Sequence, residues 1–467
     1  MTNEKPKLKE LLQNASGKKL LFLGKEGIFT EKEIMRFLKP YKISLTHLLE
    51  EDVVGVVEHH RLNPVEEDIS YEAYERNLPI YKLNEFEELL SEEIDDDALL
   101  MAIKLGNDQE RVVRLLGNEH LSDTLFVRLL KLYRFSDEED DRQDRDVIMY
   151  TLRRYIDIKP NEEDLLYSYL TLRRLATEAT DSDLLDALLN FPNFEFLIRG
   201  KEKVTLRETI ARNPHIGEDL VRKLLGYRDE KVDIALAGNN AVSKEVLHRL
   251  YEKGNDAIYR ALAVNSNIDN ALFHALLDKE EETVSLLVLR QTVDTERFRL
   301  LKEVSLERSY YVVLGMNENL DRSVVRELIE EGCVEVLVSL ASNASIGTDM
   351  AERIYQTDKH EVFMGLAQNP VTPVWILEAL FEEYAGDVEM EAALARNSAL
   401  PEAKLRTLFE RDNFEINKAL ATNDALPSDL LDILKLDTRL QHELAQNEQL
   451  ARSYEEVLNQ RKVMLNV

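Results

Sequence analysis

The chain has 467 residues, 44% apolar and 32% charged, with 16 Gly, 11 Pro and a single cysteine, Cys333. Its formal charge is −30, from 89 acidic and 59 basic residues, which disfavours the Lys/Arg surface that nucleic-acid backbones and anionic membranes require. One cysteine excludes an internal disulfide framework and any Cys-ligated zinc or iron–sulfur site. The N-terminal segment has no apolar leader, and no stretch reaches the roughly 18 apolar residues of a membrane helix, so a cytoplasmic protein is expected.

Residues 1–16 read as a charged helical lead. The run Leu20-Leu21-Phe22-Leu23 before Gly24 predicts a buried strand. Thr30 with Glu33 is a capping box for a helix that buries Ile34, Phe37 and Leu38 and ends at Lys39-Pro40. Lys42 to Thr46 and Val53 to Val57 predict two more strands, Ser70 to Asn77 a helix, and Pro79 to Leu83 a last strand. Asn84 is the expected cap of a closing helix, Glu85 to Leu90. The order is βαββαβα over residues 17–92.

With these spacings the segment resembles a BRCT domain, carried by Leu20 to Gly24, Leu45-Thr46, Val53 to Val57 and "YEAYERNLPIYKLNEFEELL" from Tyr71 to Leu90. The resemblance implies a four-stranded α/β domain. Phosphopeptide-reading members have a Ser or Thr before the Gly that ends the first strand and a Lys at the helix before the last strand. Here those places hold Leu23 and the stretch Ile69-Ser70, so a degenerate domain used for packing or protein contact is expected. His59-His60 lie at a strand end and are expected to face opposite ways.

Asp95-Asp96-Asp97 marks an acidic linker, residues 93–100, and helical periodicity fills residues 101–467. Within it an Asn returns behind a Leu-Ala-type pair at Asn213, Asn239, Asn265, Asn317, Asn343, Asn369, Asn397, Asn423 and Asn447, mostly 26 residues apart, with Gln291 in the one missing place. Less regular earlier copies centre on Asn118, Ile158 and Glu178, and insertions at Ser136–Asp146 and about Phe191–Lys203 break the period. A fixed period of this length signals a solenoid.

Counting from the Asn, apolar residues stand three and seven places before it, as in Leu236/Val232 and Leu366/Val362, and a small residue two places before. After it come an apolar residue at plus three, a helix starter at plus four, and apolar residues at plus seven and plus eleven. The starters are Ser243, Asp269, Thr295 and Asp321 as N-caps, or Pro373, Pro401 and Pro427 in the first turn. Each unit is thus helix, Asn turn, helix, and such units must stack to bury both faces. The fold class is mainly α: an α/α superhelical solenoid of two-helix repeats after a small α/β domain. The pattern resembles the HEAT-like solenoids, most closely the leucine-rich-repeat-variant type with its Leu-Ala-x-Asn-Pro core, seen at Ile210-Ala211-Arg212-Asn213-Pro214 and Leu366-Ala367-Gln368-Asn369-Pro370.

The Asn row is expected to be scaffolding, each amide sitting in left-handed geometry at a helix end and bonding exposed backbone groups of its own or the next unit. His248 and His274 lie in register one period apart, a polar row without a third metal ligand, and count with Val374 and Trp375 as candidate partner-binding residues. The acidic run Ser136–Asp146 fits no EF-hand frame and reads as a solvated loop or a dock for a basic partner. The plus-five and plus-six rows are mostly polar, except for Val374 and the single tryptophan, Trp375, which form a candidate contact hot spot. No motif implies a cofactor or a metal. The expected function is a non-catalytic protein-interaction scaffold whose partner is a protein, with a basic surface favoured by the acidity. The alternatives that the resemblances imply are a solenoid enzyme, DNA glycosylase-like or bilin lyase-like, and a nucleic-acid repair adaptor.

Overall fold

The computed structural model describes residues 6–25, 27–136, 141–157, 169–198, 202–304 and 307–447. The chain is mainly helical, with a small N-terminal region of parallel strands followed by stacked helix pairs, the architecture of an α solenoid. It divides into two compact units, Met1–Ala235 and Leu236–Val467.

The first unit opens with α1 (Leu8–Asn14), β1 (Lys19–Leu23), α2 (Glu31–Leu38), β2 (Ser44–Thr46), β3 (Val53–Glu58), α3 (Pro64–Glu75), β4 (Ile80–Lys82) and α4 (Leu83–Glu93). The strands form one sheet, all pairs parallel, in the order β2-β1-β3-β4. β1 is an inner strand, paired on both edges, and its apolar run is buried; Leu21, Leu23, Val53, Val56 and Ala73 share one core cluster. The Thr30–Glu33 capping box starts α2 as expected.

Two predicted boundaries move. Helix α3 begins at Pro64, six residues before the expected start, because Asn63 accepts from the amides of Val65 and Glu66 while Glu66 caps back onto Asn63. Asn84 does not cap α4; that helix starts at Leu83, with Lys82 in the cap position. The acidic stretch after α4 is helical from Asp96, and the Asp95 carboxylate caps it through the amides of Asp97 and Ala98.

Helices follow in pairs, with Asn118 already behaving as an anchor: buried, it donates to Ser91 Oγ at 2.8 Å and accepts from the His120 amide. The mostly buried Arg111–Glu33 ion pair ties the helical part to α2. The insertion at 191–203 is a two-stranded antiparallel hairpin, Glu195–Ile198 against Glu202–Thr205. The acidic insertion is less solvated than expected. Asp144 is buried, accepting from the Tyr133 hydroxyl at 2.6 Å and the Ser136 amide at 3.0 Å, within the helix Arg142–Tyr155. The Ile158 copy lies outside the described residues.

In the second unit the pairs become regular: Asp256–Val264 then Asn270–Leu276, Glu281–Arg290 then Thr295–Glu303, and so on to Phe414–Ala421 then Ser428–Leu434. The expected rows are its core, with Leu262, Leu340, Leu366, Leu394 and Leu420 fully buried and small residues such as Ala263, Ala341 and Ala367 beside them. The prolines sit one place earlier than expected. Pro373, Pro401 and Pro427 occupy the cap position itself, with ψ of 139°, 141° and 138°. An extended ψ suits the residue preceding a helix, and a proline's missing N–H costs nothing there.

Candidate functional site

The Asn row is buried, each member 0–7% exposed from Asn213 to Asn447. From Asn265 onward each side-chain amide donates twice to the preceding unit: Asn369 Nδ2 reaches the carbonyls of Ala341 at 2.8 Å and Asn343 at 2.9 Å. Asn265, Asn343, Asn397, Asn423 and Asn447 repeat the pattern, always on the preceding anchor's own carbonyl and that of the small residue two places before it. The side-chain oxygen accepts from the amide two residues on, as Asn369 does from Val371 at 3.1 Å. The row is therefore scaffolding, but its expected conformation is corrected. Asn265, Asn343, Asn369 and Asn397 have φ between −78° and −84° with ψ between 111° and 119°, extended rather than left-handed. Extended backbone is what turns the side chain back toward the previous unit. At the other turn, between units, Gly254, Gly332, Asp358, Gly386 and Asp412 have positive φ, and in the Asn343 turn it is Gly347, not the Asn, that does.

Gln291 keeps the rung with one methylene more. Its Nε2 donates to Ala263 O at 2.8 Å and Asn265 O at 2.9 Å, the same two acceptors that an Asn would take. Its turn is a residue shorter, so Asp294 caps the next helix and the expected cap, Thr295, is its first residue. Its oxygen accepts from Arg297 Nη1 at 3.1 Å instead of from a backbone amide. Arg297 also donates to Asn270 Oδ1, Thr292 O and Ile268 O and lies 5.0 Å over the Phe273 ring. Its burial lowers the guanidinium pKa, a cost this set of acceptors offsets.

The two register histidines do not meet over a shared ligand. His248 Nε2 donates to Asp269 Oδ2 at 2.9 Å, the carboxylate that also caps the next helix, while His274 is exposed. His59 and His60 are not opposed as expected; past the end of β3 the chain leaves the alternating pleat, and their rings lie 4.0 Å apart. Among the described residues no group of three or more His, Cys, Asp or Glu is placed to hold a metal. Cys333 Sγ donates to Glu335 Oε2 at 3.1 Å.

Around the first-strand loop, Leu23 is buried in the sheet and Ser70 Oγ donates to Glu58 at 2.9 Å. The loop amides after Gly27 are already engaged by a carboxylate of the chain: Glu87 on α4, 9% exposed, accepts from the Ile28 amide at 2.6 Å and from that of Phe29. Burial raises the Glu87 pKa despite these bonds.

Val374 and Trp375 begin the helix Val374–Glu383 and remain 44% and 48% exposed. Trp375 does not stand free: its ring meets Tyr355 of the preceding unit edge to face, centroids 5.5 Å apart. Tyr355 in turn packs on buried Phe363 at 5.4 Å, and Phe363 on Tyr384 at 6.3 Å. His360 completes the group, 5.2 Å from Phe363 and hydrogen-bonded to the Tyr384 hydroxyl at 2.9 Å. Spacing alone singles out Val374 and Trp375; Tyr355, His360 and Phe363 come from two neighbouring helices and Tyr384 from the far end of the same helix, and they become a set only when the units stack. The helix Val374–Glu383 has ten residues where Lys244–Tyr251 and Thr348–Tyr355 have eight. Helix and following turn together take Val374 to Asp387, two residues more than Arg322 to Cys333 or Thr348 to Lys359, which accounts for the 28-residue step from Asn369 to Asn397 and places Tyr384 beside Phe363.

Among the described residues no helix is long and apolar enough to cross a membrane. Compared with known proteins, the chain matches no family model, no curated protein and no solved structure.

Proposed function

We propose that the chain is a non-catalytic interaction scaffold whose helical repeats present a protein-binding surface anchored at Val374 and Trp375. The observation that carries this reading is a half-exposed tryptophan, fixed by aromatic packing, in a row that holds Asp349 in the preceding unit and only Ala403 in the following one. A large ring already held in place loses little side-chain entropy when a partner covers it, which is what makes such residues dominate interface energies. The N-terminal region, read as BRCT-like, serves packing or protein contact rather than phosphate recognition. Its candidate phosphate positions are a buried Leu23 and a Ser70 engaged with Glu58, and Glu87 already takes the loop amides.

The test is affinity capture from extract of the source cells with the full chain and with Trp375→Ala, each at equal helical content by circular dichroism. The expected result is a set of proteins retained by the parent chain and lost from the variant. An identical retained set would overturn the anchor.

A further inference from the structure

We propose that the aromatic corner at Trp375 binds the Lys or Arg side chain of a basic polypeptide segment, a cation that the chain supplies to itself in an earlier unit. This deepens the scaffold reading and rests on it.

The comparison is internal. Tyr251 and Tyr259 stand four periods of 26 residues before Tyr355 and Phe363, in the same two rows. Tyr251 and Tyr259 also pack together, centroids 5.1 Å apart. Across that earlier pair lies Lys279, its ammonium 5.0 Å from one ring and 4.7 Å from the other. Lys302 over Phe298 at 4.6 Å and Lys404 over Phe381 at 4.4 Å likewise seat ammonium groups on other rings, both of them buried. The solenoid's habit is to cover such rings with its own ammonium groups.

At Tyr355 and Phe363 the habit is broken. The place of Lys279, fourteen residues after its anchor, is taken by Glu383, and Trp375 replaces the small Ala271 of the earlier unit. No Lys or Arg among the described residues lies over these rings; the nearby Lys359 donates to the Gly332 carbonyl instead. Tyr384 packs on Phe363 and adds another ring, while Glu383, Asp387 and Asp358 bring negative charge to the rim. Burial first, and then these carboxylates, push up the pKa of the Tyr384 phenol. Ring faces beside carboxylates attract a cation from both components. Exposed Val374 offers apolar surface to the aliphatic stem of a Lys or Arg. The whole chain, at −30, favours approach by a basic partner.

Trp375 is the chain's single tryptophan, so its fluorescence reports on this corner alone. The probe is an acetylated, amidated octapeptide of alternating Lys and Leu, titrated into the full chain, with the Glu/Leu counterpart as control. The expected result is a saturable change with the basic peptide only, weakened at least tenfold in Glu383→Lys, which returns a cation to the row of Lys279. Glu318→Lys, the same charge change at an exposed place on another turn, should leave the affinity within twofold. Glu383 ends its helix, where a Lys suits the helix dipole, so the variant is expected to fold; equal circular dichroism checks this. No saturable change, or equal weakening in both variants, would overturn the proposal. If that happens while Trp375→Ala still loses captured proteins, the scaffold reading survives and only the preference for a cation falls.

Discussion

Replacing one rung of the Asn row tests the reading of it as scaffolding. Asn369→Ala removes two donated bonds, at 2.8 and 2.9 Å, and one accepted bond at 3.1 Å, from a side chain 2% exposed. At roughly 1 kcal/mol net per bond the loss is about 3 kcal/mol. The carbonyls of Ala341 and Asn343 then face a space without their donor, which lifts the expected cost to about 3–5 kcal/mol. That is a large part of the roughly 5–15 kcal/mol available to a folded domain. Asn369→Asp is the sharper variant, because it keeps the shape and the bond from the Val371 amide but points a carboxylate oxygen at two carbonyls. It should cost more than the alanine. Urea unfolding of the full chain gives the size, and amide exchange shows whether the opening is confined to the helices flanking residue 369, as nearest-neighbour coupling in a stacked array requires. A loss below about 1 kcal/mol for Asn369→Ala, or an aspartate milder than alanine, would refute the account of the rung.

Gln291 and Arg297 should behave as one device: Gln291→Asn and Arg297→Ala are each expected to destabilise by about 1–3 kcal/mol, with a coupling of at least about 0.5 kcal/mol in a double-mutant cycle followed by urea unfolding. Gly315 holds the row position that is Ala before the other Asn anchors from 213 to 447, yet an added Cβ would lie 2.8 Å from Ser339 Cβ and 3.2 Å from Val336 O. Gly315→Ala, though it restores the repeat's commonest residue, should therefore lower stability by about 1–3 kcal/mol, read by thermal unfolding. Glu87 has a folded pKa raised from 4.5 by burial, so the folded state holds its proton more tightly than the unfolded chain. Its contribution to stability is therefore fullest below pH 4.5 and declines as pH rises from there through the raised folded value. The difference in melting temperature between the parent chain and Glu87→Gln should change across that window and be flat below it.

The repeat was legible because its anchors are identical residues serving identical backbone groups. An Asn that must reach two carbonyls of the previous turn admits few substitutes, so its period survives where the surface rows drift. Its backbone geometry was not legible, since αL and extended conformations both occur where helices end, and what settles the choice is the position of the preceding unit. The Asn63-Pro64-Val65-Glu66 start of α3 was readable in principle, as an Asn cap with Pro in the first turn and Glu at the third place; the weak amphipathy of that helix hid it. The hairpin at 195–205 escaped because each strand is only four residues long. At the candidate site, Trp375 stands out as a departure from its row, whereas Tyr355, His360 and Phe363 belong to other rows and other helices, and Tyr384 stands at the far end of the Trp375 helix. Arg297 could not be foreseen as the partner of Gln291, because that pairing depends on a turn shortened by one residue.

From Asn265 to Asn423 the polar connection between rungs runs one way: each anchor gives its side chain to the unit before it and its carbonyl to the unit after it. Such a chain of donors and acceptors has matching ends wherever it is cut at a whole unit. An added or deleted repeat in this stretch would leave every rung with the same partners, so the array could change length during evolution without redesign of its interior. The unit of Gln291 is the exception, since it would have to travel together with its shortened turn and Arg297.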